Sequence, residues 1–257
     1  MYTLITGASS GIGLELAKQF AKNKHDLILV ARRKEKLDAL AQELSDTYKI
    51  RVETIEMDLS LPGAAKEVYE EVLSKQLDVD VLVNNAGFGD HGFFTDTDLD
   101  KELNMIDLNV KTLVALTKYF VLPMKKRGTG YILNVASTAA FQPGPVMSIY
   151  FATKAFVLSF SEAIANELAP QGIFVTALCP GATKTEFEDR AFGDSSFFSK
   201  TMSAEEVAKI GYNALLKKKR VIIPGFGNKL LAFTVRFSPR KLVTALTRKM
   251  FSDPGGK

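Results

Sequence analysis

Short apolar runs recur along the chain, each followed by a longer segment of helical period, and this alternation leaves few folds open. Residues 2–6, 26–31, 51–56, 80–84, 130–135, 173–179 and 220–223 read as buried strands. Helix-period segments lie between them near 12–23, 34–46, 62–75, 99–126, 151–168 and 203–217. Strands separated by helical crossovers pair in parallel, so seven of them imply an α/β domain, a parallel sheet wound on both faces. No internal repeat or linker divides the chain. The 257 residues are read as one domain over 1–224, continued by a C-terminal extension over 225–257.

Composition narrows the chemistry. The single cysteine, Cys179, excludes an internal disulfide framework and suits a reducing compartment. With only two histidines, His25 and His91, there is little material for a zinc site, so no metal is expected. No apolar run reaches the length of a membrane-spanning helix, and a strand beginning at residue 2 leaves no room for a signal peptide. A cytoplasmic location is the expectation. Net charge is +4, unevenly spread: residues 217–257 hold eleven Lys/Arg against one acid, so the rest of the chain is net acidic. That asymmetry raises the question of an acidic partner or a membrane surface for the C-terminal end.

The first strand runs into Thr6-Gly7-Ala8-Ser9-Ser10-Gly11-Ile12-Gly13 and then a helix. A strand, a glycine-rich turn and a helix N-terminus form a pyrophosphate site, because glycines admit the phosphates and free N–H groups hold their charge. A tight turn requiring positive φ explains the glycines alone equally well. The second strand ends in Ala31-Arg32-Arg33, with no acid where the ribose hydroxyls of NAD would need one. Arginine forks onto a 2′-phosphate instead, so NADP(H) is expected rather than NAD(H). After the third strand, Asp58-Leu59 places a carboxylate where an adenine amino group could donate, although such an aspartate is more often a helix cap. The fourth strand ends Asn84-Asn85-Ala86-Gly87, a small-residue shelf at the expected switch point of the sheet.

Ser137, Tyr150 and Lys154 complete the set: a hydroxyl, a phenol and an ammonium, the last two one helical turn apart. With these motifs the chain resembles the short-chain dehydrogenase/reductase family, in its TGxxxGxG and YxxxK branch. Asn84-Asn85-Ala86-Gly87 matches the family's NNAG, Asn109 its helix asparagine, and Pro180-Gly181-Ala182-Thr183-Lys184-Thr185 its PGxxxT, all in order from residue 2 to about 223. The resemblance implies a Rossmann-like fold and assigns catalysis to Asn109, Ser137, Tyr150 and Lys154. Ser137 would orient the substrate carbonyl and Tyr150 protonate it. Lys154 would make the phenolate accessible and bond the nicotinamide ribose, while Asn109 holds a water in the proton path. Gly7, Ser9, Ser10, Gly11, Ile12, Gly13, Arg32, Arg33, Asp58, Leu59, Asn85, Ala86, Gly87, Tyr150, Lys154, Pro180, Gly181, Thr183 and Thr185 would hold the nucleotide. Thr185 and the Pro180 turn would seat its carboxamide, and transfer would be of the pro-S hydride.

The expected reaction is NADPH-dependent reduction of an apolar ketone, aldehyde or 3-oxoacyl group. Oxidation of a secondary alcohol, hydroxysteroid-like, by the same site is an alternative, and a nucleotide-sensing protein without turnover is a rival from another class. Apolar residues guide the substrate expectation: Phe187, Phe192, Phe197 and Phe198 in the 182–202 region, with Phe88, Phe93, Phe94, Phe141 and Met147 elsewhere. Several of these serve equally as core or subunit contacts. Relatives in the family assemble as dimers or tetramers through the helices near 99–126 and 151–168, so a homodimer or homotetramer is expected. No nucleic acid is expected, since the tail shows no recognised binding motif. The extension carries Leu242, Leu246 and Met250 at helical spacing among Arg240, Lys241, Arg248 and Lys249. It is read as a cover for the cleft or a subunit contact, with peripheral membrane contact through residues 226–251 as the less common alternative. The terminal Ser-Asp-Pro-Gly-Gly-Lys is expected to be disordered.

Overall fold

In a computed structural model, residues 1–186 and 201–252 are described. Seven parallel strands form the central sheet: β1 (Tyr2–Thr6), β2 (Asp26–Ala31), β3 (Val52–Glu56), β4 (Val79–Asn84), β5 (Gly130–Val135), β6 (Ile173–Leu178) and β9 (Val221–Ile222). Their order is β3-β2-β1-β4-β5-β6-β9, so the chain reverses direction across the sheet between β1 and β4. This is the Rossmann-like, doubly wound arrangement the sequence predicts. A crevice necessarily opens above the β1/β4 boundary, because crossovers leave these two strands toward opposite faces.

Alternation along each strand feeds both faces. Ile5 packs with α1 (Gly11–Lys22), α2 (Lys34–Tyr48) and α7 (Ala204–Leu216), around Leu16, Phe20, Leu37, Leu44 and Leu215. Its neighbour Leu4 packs the opposite way, with Val68 of α3 (Ala64–Ser74), Phe120 of α5 (Leu113–Arg127) and Ala165 of α6 (Ser148–Leu168). Burial on both sides is why these strands read as continuous apolar runs rather than as alternating ones.

Two features depart from the periodicity. The helix expected over 99–126 is α4 (Leu99–Ile106) and α5, joined through a π-helical segment, Asp107–Thr112. One extra residue in that turn rotates the helix locally, as π segments at functional sites often do, and Asn109 lies within it. The second is a short parallel pair, β7 (Thr183–Lys184) with β8 (Met202–Ser203), that apolar patterning does not signal. Phe187, Phe192, Phe197 and Phe198 lie outside the described residues, as do residues 253–257.

The extension folds back as two helices, α8 (Phe226–Val235) and α9 (Arg240–Phe251). Gly225, at φ +86°, lets the chain turn into α8. Asn228 then donates to the Pro224 carbonyl at 2.7 Å and fills the space beside Gly181, where an added Cβ would meet its amide at 2.5 Å. The end of α9 is fastened from the other side. The Phe251 carbonyl accepts from His91 Nε2 at 2.8 Å, its ring meets Phe151 edge-on at 5.5 Å, and Arg248 stacks over Phe93 at 5.7 Å. Among the described residues no helix is long and apolar enough to cross a membrane.

Candidate active site

A cavity of about 520 Å³ occupies the crevice, walled by the residues that follow β1 through β6. Every residue proposed from sequence for catalysis or cofactor binding lines it, except Gly13 and Asn109, which support it from behind.

Its polar end is built on the glycine turn. Gly7 and Gly11 have φ of +66° and +57°, and Gly13 packs so tightly that an added Cβ would meet the Gly7 carbonyl oxygen at 2.3 Å. Asn85 staples this turn to β4, its amide donating to the Thr6 and Gly7 carbonyls at 2.9 and 3.2 Å. The Thr6 hydroxyl in return accepts from the backbone N–H groups of Asn85 and Ala86, both at 3.0 Å. Ser10 caps α1 in extended conformation without a side-chain bond to the first turn. The early N–H groups of α1, at Gly11 and Ile12, therefore stand at the cavity wall with the positive end of the helix. A side chain at Gly7 or Gly11 would fill this cradle, which fits a pyrophosphate.

Beyond the turn stand two arginines with different surroundings. Arg33 reaches inward: Nη2 donates to Ser9 Oγ at 3.0 Å, and Nη1 to Glu186 at 2.8 Å. Lys36 also bonds Glu186, at 3.2 Å, and the two cations hold that carboxyl below its ordinary range against the opposing effect of burial. Arg32 stays mostly exposed, 3.6 Å from Asp58. Asp58 does cap a turn, accepting from Ser60 N and Oγ at 3.0 and 2.7 Å. Glu186 is a residue that sequence reasoning missed, because 153 positions separate it from Arg33.

The apolar end holds the phenol. Tyr150, on the first turns of α6, is buried among Met105, Ala139, Met147 and Phe151. Burial, the largest influence, pushes its hydroxyl up to about 12, and a hydrogen bond with the Ser137 side chain opposes this. Ser137 Oγ also accepts from Ala139 N at 3.1 Å and sits 3.5 Å from the Pro180 carbonyl. Lys154 lies on the same face as Tyr150, its ammonium 5.8 Å from the ring centroid and donating to the Val135 carbonyl at 2.9 Å. Burial lowers this ammonium to about 8, with Cys179 opposing. Burial is thus the largest influence on the phenol, with Ser137 opposing it and the Lys154 ammonium on the same face of the helix.

Asn109 completes the floor. Its Nδ2 donates to the Phe88 carbonyl at 3.0 Å and to Thr153 Oγ1 at 3.1 Å, and its Oδ1 accepts from Phe88 N at 3.1 Å. An added Cβ at Gly87 would meet Asn109 Oδ1 at 2.8 Å and Lys154 Nζ at 3.6 Å. The NNAG glycine is therefore required by close approach to the catalytic-type side chains, not by turn geometry.

Of the apolar residues expected at the pocket, Phe88 and Met147 line it. Phe93 and Phe94 are instead 51% and 66% exposed, and Phe141 packs with Leu113 and Val157 outside it. Their place is taken by Phe151 and by Leu231, Met250 and Phe251 of the extension, with Asn228 beside them. Sequence spacing could not reveal this, since the contacts cross from residue 151 to 251. The buried Cys179 thiol is pushed up to about 12 by burial and stays protonated at neutral pH. Among the described residues no cluster of acids, histidines and cysteine could hold a metal.

Comparison with known proteins agrees with this geometry. The family profile described as short chain dehydrogenase matches residues 2–195. Hydroxysteroid dehydrogenase-like protein 1 of Gallus gallus is 35% identical over 239 residues, covering 91% of this chain and 70% of that protein. The very-long-chain 3-oxoacyl-CoA reductase of Anas platyrhynchos is 35% identical over 185 residues, 70% of this chain but only 58% of the relative's length. Among solved structures, a short-chain dehydrogenase from Sphingobium yanoikuyae in complex with NADPH superposes with a TM-score of 0.84 at 37% identity, covering 92% of this chain and 93% of the other.

Proposed function

The chain belongs to the short-chain dehydrogenase/reductase family of oxidoreductases, and from that premise we propose that it reduces an apolar ketone, aldehyde or 3-oxoacyl group with NADPH. The observation that carries this reading is one cavity with two unlike ends, a glycine cradle with arginines at one and a buried Tyr150 among apolar side chains at the other. The names of the similar proteins support it, since they include an NADPH complex and a 3-oxoacyl-CoA reductase.

Ser9, Arg32, Arg33, Asn85 and the N–H groups of Gly11 and Ile12 would hold NADPH along the cradle, and the cofactor would supply the hydride. Tyr150 donates the proton to the carbonyl oxygen, so that C=O becomes CH–OH. A phenol held near 12 is fully protonated at neutral pH, which is the form a general acid needs. Oxidation of a secondary alcohol runs through the same groups in reverse, with Tyr150 accepting the proton, and the supply of cofactor and substrate sets the direction. Ser137 donates to the carbonyl oxygen and aligns it with Tyr150. Lys154 stabilises negative charge developing on the phenol oxygen as the proton leaves, through a low-dielectric interior. Asn109 fixes the Phe88 backbone and Thr153, and so holds the floor on which Lys154 rests. A panel of apolar ketones, aldehydes and 3-oxoacyl thioesters, followed by loss of NADPH absorbance, tests the reading. Turnover on at least one is the expected result, and tight NADPH binding with no turnover would instead mark a nucleotide-sensing protein.

Cofactor choice is separable. A 2′-phosphate would compete with Glu186 for Arg33 and with Asp58 for Arg32. Arg33→Ala and Arg32→Ala should each lower the NADPH/NADH ratio of kcat/KM, by roughly 10–100-fold for Arg33, whose guanidinium is already anchored on Ser9. Unchanged ratios in both variants would remove the 2′-phosphate assignment. We further propose a homodimer or homotetramer, supported by Leu99, Leu103, Leu122 and Phe156 exposed on α4, α5 and α6. A monomer in sedimentation equilibrium at micromolar concentration would refute that.

A further inference from the structure

The extension has an outward face that no described residue covers. In α8 the residues turned to the body are Asn228, Leu231 and Ala232. Opposite them, at helical positions i, i+4 and i+7, stand Phe226, Leu230 and Phe233, exposed by 81%, 51% and 58%, and Phe237 in the turn after α8, 76% exposed, brings its ring within 5.1 Å of Phe233. In α9, Val243 and Thr247 face inward while Leu242, Leu246 and Met250 form a second exposed stripe. Phe93, under Arg248, is half exposed as well. Eight of the eighteen exposed large apolar side chains among the described residues fall between 226 and 251. Exposed apolar residues scattered singly need no explanation, but exposed rows on two successive helices mark a contact surface.

Its charge says what the contact is. Residues 226–251 include six cations, Lys229, Arg236, Arg240, Lys241, Arg248 and Lys249, and no acid. Lys229 of α8 and Arg236 just beyond its end flank the Phe stripe. A second copy of the same face would set cation against cation, which is repulsive. A nucleic acid would match the charge and could stack on the phenylalanines, but the exposed Leu230, Leu242, Leu246 and Met250 offer no ring to a base. An interface of lipid headgroups matches both, since aromatic and aliphatic side chains enter the acyl boundary while lysine and arginine meet anionic headgroups. We propose that the outward face of α8 and α9 docks on an anionic lipid bilayer. The docking does not depend on the reaction proposed above. It has a geometric consequence all the same: Leu231 and Met250 are both part-exposed and part of the cavity wall, so the cavity mouth sits beside the docked surface.

The test is flotation of the full chain with vesicles of phosphatidylcholine alone and of phosphatidylcholine mixed with phosphatidylglycerol. Recovery with the anionic vesicles should exceed that with neutral ones about tenfold or more at low salt, and fall as salt rises. Phe226→Gln/Phe233→Gln/Phe237→Gln and, separately, Lys229→Glu/Arg236→Glu should each cut anionic recovery about tenfold. All five positions are solvent-facing, so circular dichroism and Tm should match the parent chain. Absence of flotation with anionic vesicles overturns the proposal, as does recovery that ignores lipid charge or the aromatic substitutions. A self-associated form that the glutamine variant splits, without vesicle recovery, assigns the face to a second copy and overturns it equally.

Discussion

Tyr150→Phe should lower kcat for carbonyl reduction about 10³-fold while leaving the Kd for NADPH unchanged. General acid transfer by a positioned side chain contributes roughly 10²–10⁴ in rate, and a thousandfold loss is about 4 kcal/mol of transition-state stabilisation. The substitution is clean because the ring does separate structural work. It meets Phe151 edge-on at 6.1 Å and packs with Met105 and Met147, and a phenylalanine keeps those contacts. Ser137 loses its phenol partner but retains the Ala139 N–H at 3.1 Å, so its rotamer is still held. Stability should change by no more than about 1 kcal/mol, the net worth of one buried hydrogen bond. Single-turnover decay of NADPH absorbance with a saturating carbonyl substrate reads the chemical step directly. Activity within tenfold of the parent would mean that another group delivers the proton. Ser137→Ala should cost less, about 10²-fold, and the double variant little more than Tyr150→Phe alone, because the two hydroxyls act on one oxygen.

How far this site could be read in advance differs from one end of the cavity to the other. The cradle was legible because local chemistry dictates it: a strand, glycines at positive φ and a helix start are adjacent in sequence, and the distant Asn85 that staples them carries a motif of its own. The sheet was legible for a related reason, since strands buried on both faces appear as unbroken apolar runs. The two-residue pair of β7 and β8 was not, being too short to carry a period. Asn109 was legible as a residue but not as a conformation, because a π segment has no hydrophobic signature of its own. The substrate end was the least legible. Phe251 reaches Phe151 and His91 across a hundred positions or more, and the choice between Phe93 and Phe251 as pocket wall depends on how α9 packs. Phe93 carries the same apolar side chain yet lies at the surface under Arg248. Glu186 belongs with these, for nothing near residue 186 announces a partner at residue 33.

Lys154→Met should abolish most activity and yet stabilise the protein. The ammonium is 6% exposed, and no carboxylate figures among the influences on it. It donates to the Val135 carbonyl at 2.9 Å. Burial drops it from 10.5 to about 8, so keeping it charged at neutral pH costs about 3 kcal/mol relative to the unfolded chain. Methionine fills a similar volume without charge, at the expense of leaving that carbonyl without its lysine donor, about 1–2 kcal/mol. The balance is a variant more stable by about 1–2 kcal/mol at pH 7, seen as a rise in Tm of about 4 °C. The sign of its pH dependence is fixed by which state holds the proton. Between about 8 and 10.5 the unfolded chain keeps the Lys154 proton that the folded protein has released, so the parent gains stability as pH rises through that window. Below about 8 the cost is fully present. The gap between variant and parent should therefore close from pH 8 upward. Tyr150 and Cys179, both raised to about 12, act in the opposite direction at alkaline pH, but they are common to both proteins and cancel to first order in the comparison. Denaturant melts at several pH values read the gap. A variant less stable than the parent at pH 7, or a gap that widens with pH, would show that the buried ammonium is structural. A closing gap together with a 10²–10³-fold fall in kcat, the range expected for a group assisting proton transfer, identifies a charge the fold tolerates for what it does beside Tyr150.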